Sequence, residues 1–268
     1  MSAPAPTLDL EIALARRCGP GRRIVVGLDE VGRGALALEI TDGAVKPLPE
    51  GVRDSKKLTA RRREALVDPI LGTALAGAIG WAEAAEIYEI GIMPALTRAA
   101  LRALDGLALA ADALLLDGDA DVLTGALSTS DRPAPLVELR VAADRDCASV
   151  SAASILAKVA RDARMAALDA EAPEYRWASN KGYGSAAHRE AIDRLGAHEH
   201  HRRSWRLGSA HAAGSSPARI VPNRTVPNRT APSASPHGRQ PAGARPTTSS
   251  AGVLWEGPWS PQDEEERR

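Results

Sequence analysis

The chain has 268 residues, 44% hydrophobic and 25% charged, enough to bury a real core as one large domain or two small ones. Its formal net charge of +0 excludes a uniformly basic surface, so affinity for nucleic acid has to come from local basic patches. Two cysteines, Cys18 and Cys147, exclude a disulfide framework, and with no Phe and only 3% aromatics the core must be filled by aliphatic side chains and alanine.

No apolar run reaches membrane-spanning length, and residues 1–10 lack a charged region followed by an apolar one, so a cytoplasmic protein is expected. Leu8 to Arg17 can form one or two helical turns before Gly19-Pro20 stops them. Residues 23–28 form a β-branched apolar run, the mark of a buried strand. Leu36, Leu38 and Ile40 then alternate like a strand, Asp42-Gly43 reads as a turn, and Pro47 and Pro49 mark a loop. Thr59 is a suitable N-cap for a helix to about residue 71, with Arg61 to Arg63 on its wet side. A strand over 75–81, an acidic segment and a helix over 93–109 come next. Strands over 113–118 and 135–141, a long helix over 147–171 and a helix over 186–195 complete the ordered part, residues 8–205. Residues 206–268 are rich in Pro, Ser, Arg, Thr and Gly and repeat Val-Pro-Asn-Arg-Thr in tandem, which predicts a disordered low-complexity tail. Asn223 and Asn228 stand in glycosylation sequons without a secretion signal, so chance explains them best.

The chemistry gathers at strand ends. Asp29 and Glu30 follow the first strand, Asp117 ends a second, and Asp144 lies between a third and the long helix. Strands alternating with helices can bring such ends to one edge of a sheet. Four neighbouring carboxylates raise one another's pKa unless cations neutralise them. Two divalent ions about 3.5–4 Å apart would do so and would clamp a phosphodiester for in-line attack by water. All-oxygen ligands favour Mg2+ or Mn2+. Asp54-Ser55-Lys56-Lys57 offers a hydroxyl and ammonium groups to phosphates without reading bases, as Lys158 and Arg161 also could. The cluster His198 to His201, with His188, reads as structural or phosphate-facing rather than as a metal site, and Cys147 as packing.

These residues stand in segments that resemble bacterial ribonuclease HII: Gly27-Leu-Asp-Glu-Val-Gly-Arg-Gly34, Asp54-Ser-Lys-Lys-Leu58, Leu116-Asp-Gly118, and Asp144 through Ser151-Ala-Ala-Ser-Ile-Leu-Ala-Lys-Val159 to Asp162. Lys181-Gly-Tyr-Gly184 with His188, and His201-Arg-Arg-Ser-Trp205, extend the match. The resemblance implies an α/β protein of ribonuclease H-like fold, a central mixed β-sheet flanked by helices with a small C-terminal helical part. It implies a monomeric endonuclease that hydrolyses the RNA strand of RNA–DNA hybrids. It also implies cutting 5′ of single ribonucleotides embedded in duplex DNA, leaving 5′-phosphate and 3′-hydroxyl ends, in ribonucleotide excision repair and DNA replication. By position, Asp29, Glu30, Asp117 and Asp144 match the catalytic metal-binding acids, with Mn2+ or Mg2+ in a two-metal mechanism. Gly32, Arg33 and Gly34 match the loop that reads the ribose 2′-hydroxyl, Tyr183 matches a tyrosine that stacks on the adjoining sugar, and Ser55 and Lys56 are assigned to substrate binding. A junction resolvase of the same fold is disfavoured by the Gly-Arg-Gly and Lys-Gly-Tyr motifs.

One stretch departs from the family pattern. After Gly34 the sequence reaches Asp54 early, and Glu39 and Asp42 stand where small or apolar residues are expected. A shortened second strand would remove ladder hydrogen bonds and core contacts together, which makes a weakened or non-catalytic hybrid-binding homologue the alternative.

Overall fold

Strand β1 (Arg22–Leu28) runs through the middle of a six-stranded mixed sheet. The computed structural model describes residues 4–29, 34–128, 134–203 and 207. Glu30, Gly32, Arg33, Trp205 and the predicted tail apart from Leu207 therefore lie outside the described residues. On one side β1 pairs antiparallel with β2 (Gly34–Thr41), from Arg22↔Thr41 to Leu28↔Ala35. The far edge of β2 is shared by the two-residue β3 (Ala44–Val45) and by β4 (Ala76–Ile79), both antiparallel to it. On its other side β1 pairs parallel with β5 (Ala113–Asp117), and β5 with β6 (Leu136–Arg140).

Alternation along the strands sorts the core into two layers. Val26, Leu28, Leu114 and Leu116 face helix α4 (Ile92–Gly106), which meets them through Ala100 and Ala103. Val25, Ala113 and Leu115 face the opposite side, against Leu14 and Ala15 of α1 (Asp9–Arg17) and Val150 of α7 (Ala148–Glu171). Leu36 and Leu38 pack on that same side beneath α2 (Ala60–Leu71) and Ile155 of α7. Alanine does much of the filling, as the shortage of aromatics requires. The buried face of α4 is Ala95, Ala99, Ala100 and Ala103, and residues 148–157 of α7 are all buried.

The helix predicted after Thr59 starts there, with the Thr59 hydroxyl accepting from Arg62 N at 3.3 Å. The acidic segment before α4 is itself a helix, α3 (Ala84–Ile90), separated from α4 by Gly91 at φ +83°. Glu86 binds both Arg98 and Arg102 of α4, which hold its carboxyl down at about 2. Two short helices, α5 (Thr124–Leu127) and α6 (Ala143–Asp146), follow β5 and β6. The C-terminal helical part comprises a turn at Pro173–Tyr175, α8 (Trp177–Asn180) and α9 (Ala186–Leu195). It packs through Tyr175, Trp177 and Ile192 onto Met165 and Leu168 of α7. Among the described residues no helix is long and apolar enough to cross a membrane.

The expectation of a damaged second strand is corrected. β2 pairs with β1 along its whole length, and Ala35, Leu36, Ala37, Leu38 and Ile40 are buried. Glu39 is tolerated because it lies near the end of the strand, beyond the buried Ala35 and Ala37 on the same face, where it is exposed and meets Arg22 at 2.7 Å. Asp42 and Gly43, at φ +50° and +87°, form the turn into β3, and Asp42 accepts a hydrogen bond from Gly21 N at 2.7 Å.

Candidate active site

Asp29 follows β1 directly, and its N–H donates to Gly34 O at 3.1 Å, carrying the β1–β2 pairing one step further. The parallel register Leu28↔Leu116 makes Asp29 and Asp117 neighbours at the carboxyl ends of adjacent strands. Both stand two residues beyond positions facing α7, so alternation assigns both to that face. Asp117 is 5% exposed, and its Oδ1 accepts from Ala143 N at 2.8 Å. Asp144, also 5% exposed, is delivered by a left-handed residue, Ala142 at φ +60°, between β6 and α6. The Ser151 hydroxyl of α7 donates to the Asp144 carbonyl at 2.7 Å.

Three of the four predicted acids therefore converge on one sheet edge, and Glu30 lies outside the described residues. The donor set is all oxygen, and two of its members are nearly buried, which fits hard divalent cations such as magnesium or manganese. Among the described residues, the group whose ligand atoms all lie within 4.8 Å of one another is a different one, His198, Glu199 and His200. Like charges keep carboxylates apart unless a cation stands between them.

Helix α7 sits hard against the strands that carry this edge. A Cβ on Gly27 would fall 2.7 Å from the Ser149 carbonyl carbon, and one on Gly34 2.5 Å from Ala153 O. Gly34 is thus explained by packing. Sequence reasoning missed Glu11, a fully buried carboxylate on α1 whose Oε1 accepts from Ser149 N at 2.8 Å and so caps the start of α7. Burial pushes its pKa up. The available signal was its spacing from Leu14 and Ala15, which places all three on one helical face.

The Asp54–Lys57 segment divides its duties. Lys56 Nζ stands 3.5 Å from Asp144 Oδ2 on a side chain that is 72% exposed. Ser55 instead points inward. It is 4% exposed and its hydroxyl is 2.8 Å from that of Ser154, so its observed partner is α7. Arg63, expected on the wet side, is largely buried. It donates to Ser55 O at 3.0 Å and Leu58 O at 2.6 Å and reaches Asp162 at 3.4 Å, tying the lysine-bearing turn to α7. Lys158 pairs with the same Asp162 at 2.5 Å.

Tyr183 lies on a neighbouring surface, 63% exposed, with the Arg161 guanidinium 5.3 Å and the Lys158 ammonium 5.9 Å from its ring centre. Its loop is shaped by Asn180, which donates to Tyr175 O at 2.7 Å and accepts from Gly182 N at 2.8 Å. His188 and His201 are buried with their rings stacked, and His188 Nδ1 is 2.7 Å from Tyr175 O, a structural arrangement as expected. Cys147 is buried packing, and its thiol, pushed up to about 12 by burial, is a poor nucleophile.

The family model described as Ribonuclease HII matches residues 26–207. Among solved structures, the chain resembles the ribonuclease H2 of Pyrococcus horikoshii OT3 at 24% identity and a TM-score of 0.56, covering 68% of this chain and 93% of that one. It also resembles the ribonuclease HII of the PCNA complex from Archaeoglobus fulgidus at 21% identity and a TM-score of 0.46, covering 64% and 85%. The matched segment takes in the sheet from Val26 onward, the acids at its edge and the C-terminal helical part, and the chain belongs to the ribonuclease HII family of ribonuclease H enzymes.

Proposed function

We propose that the protein is a divalent-metal-dependent endonuclease acting on RNA–DNA hybrids and on duplex DNA with an embedded ribonucleotide, cutting 5′ of the ribonucleotide to leave 5′-phosphate and 3′-hydroxyl ends. The observation that carries this reading is the convergence of Asp29, Asp117 and Asp144 beside Lys56 at one sheet edge. Asp29, Glu30, Asp117 and Asp144 would hold Mg2+ or Mn2+. Bound there, the two cations would supply an activated water and stabilise the charge on the departing 3′ oxygen. The chain's own groups position the substrate. The Lys56 ammonium meets a phosphate, Tyr183 offers its exposed face to a sugar or base, and Gly32, Arg33 and Gly34 contact the 2′-hydroxyl that distinguishes RNA from DNA. The Ala143 N–H holds Asp117 in one orientation. The same reading makes the chain a cytoplasmic monomer. The non-catalytic alternative rested on a broken second strand, and the complete β1–β2 ladder removes that support.

The test is cleavage of a DNA duplex carrying one ribonucleotide, with magnesium or manganese, beside Asp117→Asn. Incision on the 5′ side, reduced at least ~100-fold in the variant, is the expected result. Binding of the duplex without incision by the folded wild-type chain would overturn the reading in favour of a hybrid-binding protein.

A further inference from the structure

The C-terminal helical part holds a ligand set unlike the one at the sheet edge. His198, Glu199 and His200 each present one ligand atom, all within 4.8 Å of one another. The turn that carries them is closed by His201 N donating to His198 O at 3.0 Å, and His198 Nδ1 accepts from His200 N at 3.4 Å, which leaves Nε2 of His198 to face an ion. A second carboxylate stands beside the set. Glu171, the last residue of α7, places Oε2 3.7 Å from His200 Nε2. The imidazoles are backed by a fixed surface, since the buried Trp177 ring lies 5.3 Å from His198 and 6.2 Å from His200 between ring centres, both edge-on.

Two imidazole nitrogens with carboxylate oxygen form a borderline donor set. Zinc is held by such sets, whereas magnesium and manganese prefer oxygen alone. The four clustered histidines have different roles. His188 and His201 are buried in the aromatic cluster, while His198 and His200 are half-buried on its rim, within reach of an ion from solvent. We propose that His198, Glu199 and His200 form a zinc(II) site, with Glu171 at its edge, separate from the oxygen-only site on the sheet. Zinc bound there ties the 198–201 turn to the end of α7 and stabilises the C-terminal helical part by mass action.

The experiment uses the full chain without a histidine tag, stripped of metal, in the Asp117→Asn background so that the sheet-edge acids contribute less. Zinc is titrated in competition with a chromophoric chelator, and cobalt(II) is substituted as a spectroscopic probe. One zinc per chain is expected, weakened at least ~10-fold by His200→Ala and by Glu199→Gln. Visible cobalt bands of nitrogen coordination should be lost with His200→Ala, and zinc should raise the melting temperature of the parent but not of the variants. Glu199 is exposed, so Glu199→Gln leaves the fold intact and keeps the test independent of any damage from the histidine change. Equal zinc affinity in parent and both variants, or no binding tighter than millimolar, would overturn the proposal. Neither result touches the nuclease reading, which is tested by incision.

Discussion

Asp144 reaches the sheet edge through a backbone conformation that alanine adopts reluctantly. A left-handed residue other than glycine costs about 1–2 kcal/mol, part of which glycine gives back through its greater freedom in the unfolded chain. Ala142→Gly is therefore expected to stabilise the protein by about 0.5–1 kcal/mol, read from chemical denaturation. An unchanged or lower midpoint would show that Ala142 is not strained. Tyr183 gives the opposite kind of test. Its ring is exposed and supports little of the core, so Tyr183→Ala should leave the melting temperature unchanged while weakening duplex binding by about 1–3 kcal/mol, the worth of one stacked aromatic. A drop in stability with unaltered binding would assign the ring to the fold rather than to substrate.

Between elements, the decisive contact is α7 against β1 and β2. Glycine at 27 and 34 lets the start of α7, whose first ten residues are all buried, lie directly against the two strands that flank Asp29. A methyl group on Gly27 has nowhere to go, because the atoms it would meet include helix backbone. Gly27→Ala is expected to cost about 1–3 kcal/mol by overpacking and to lower turnover by more than substrate affinity, since Asp29 lies two residues on. Wild-type stability and turnover in this variant would show that α7 can shift without consequence for the acids.

For the whole molecule, the C-terminal cluster contributes a pH sensitivity between neutral and mildly acidic conditions. Burial, aided by the neighbouring His188 and His198, depresses the His201 pKa to about 4 from an ordinary 6.5. The unfolded chain therefore binds a proton there more readily than the folded one below pH 6.5. Stability falls progressively from about pH 6.5 to about pH 4 and levels off below that for this group. Glu11 acts in the opposite direction. Its pKa is raised, so its charged burial is unfavourable at neutral pH and is relieved as protonation follows acidification. His201→Gln should flatten the decline between pH 6.5 and 4 even if its stability at pH 7 is lower. An unaltered slope would place the sensitivity elsewhere.

The sequence by itself determined the periodic and local features. Apolar runs at residues 23–28 and 113–118 became β1 and β5, the Thr59 cap started α2, and carboxylates at strand ends landed on one sheet edge because parallel strands share an end. Its motifs also sufficed for the family. Tertiary structure decided what depends on contacts between distant residues. The length of β2 could not be judged from an interval between motifs, and Glu39 is harmless because it falls at the exposed end of a strand face that is otherwise buried. Ser55 and Arg63 read as polar and exposed, and only the packing of their turn against α7 turns them inward. Glu11 became a helix cap when α1 folded over residue 149. The histidines at 188 and 201 parted from those at 198 and 200 when Tyr175 and Trp177 covered the first pair. Periodicity along a chain reports which face of an element is apolar, but burial of a polar side chain is fixed by its partner, which for Glu11 lies 138 residues away and for Ser55 99.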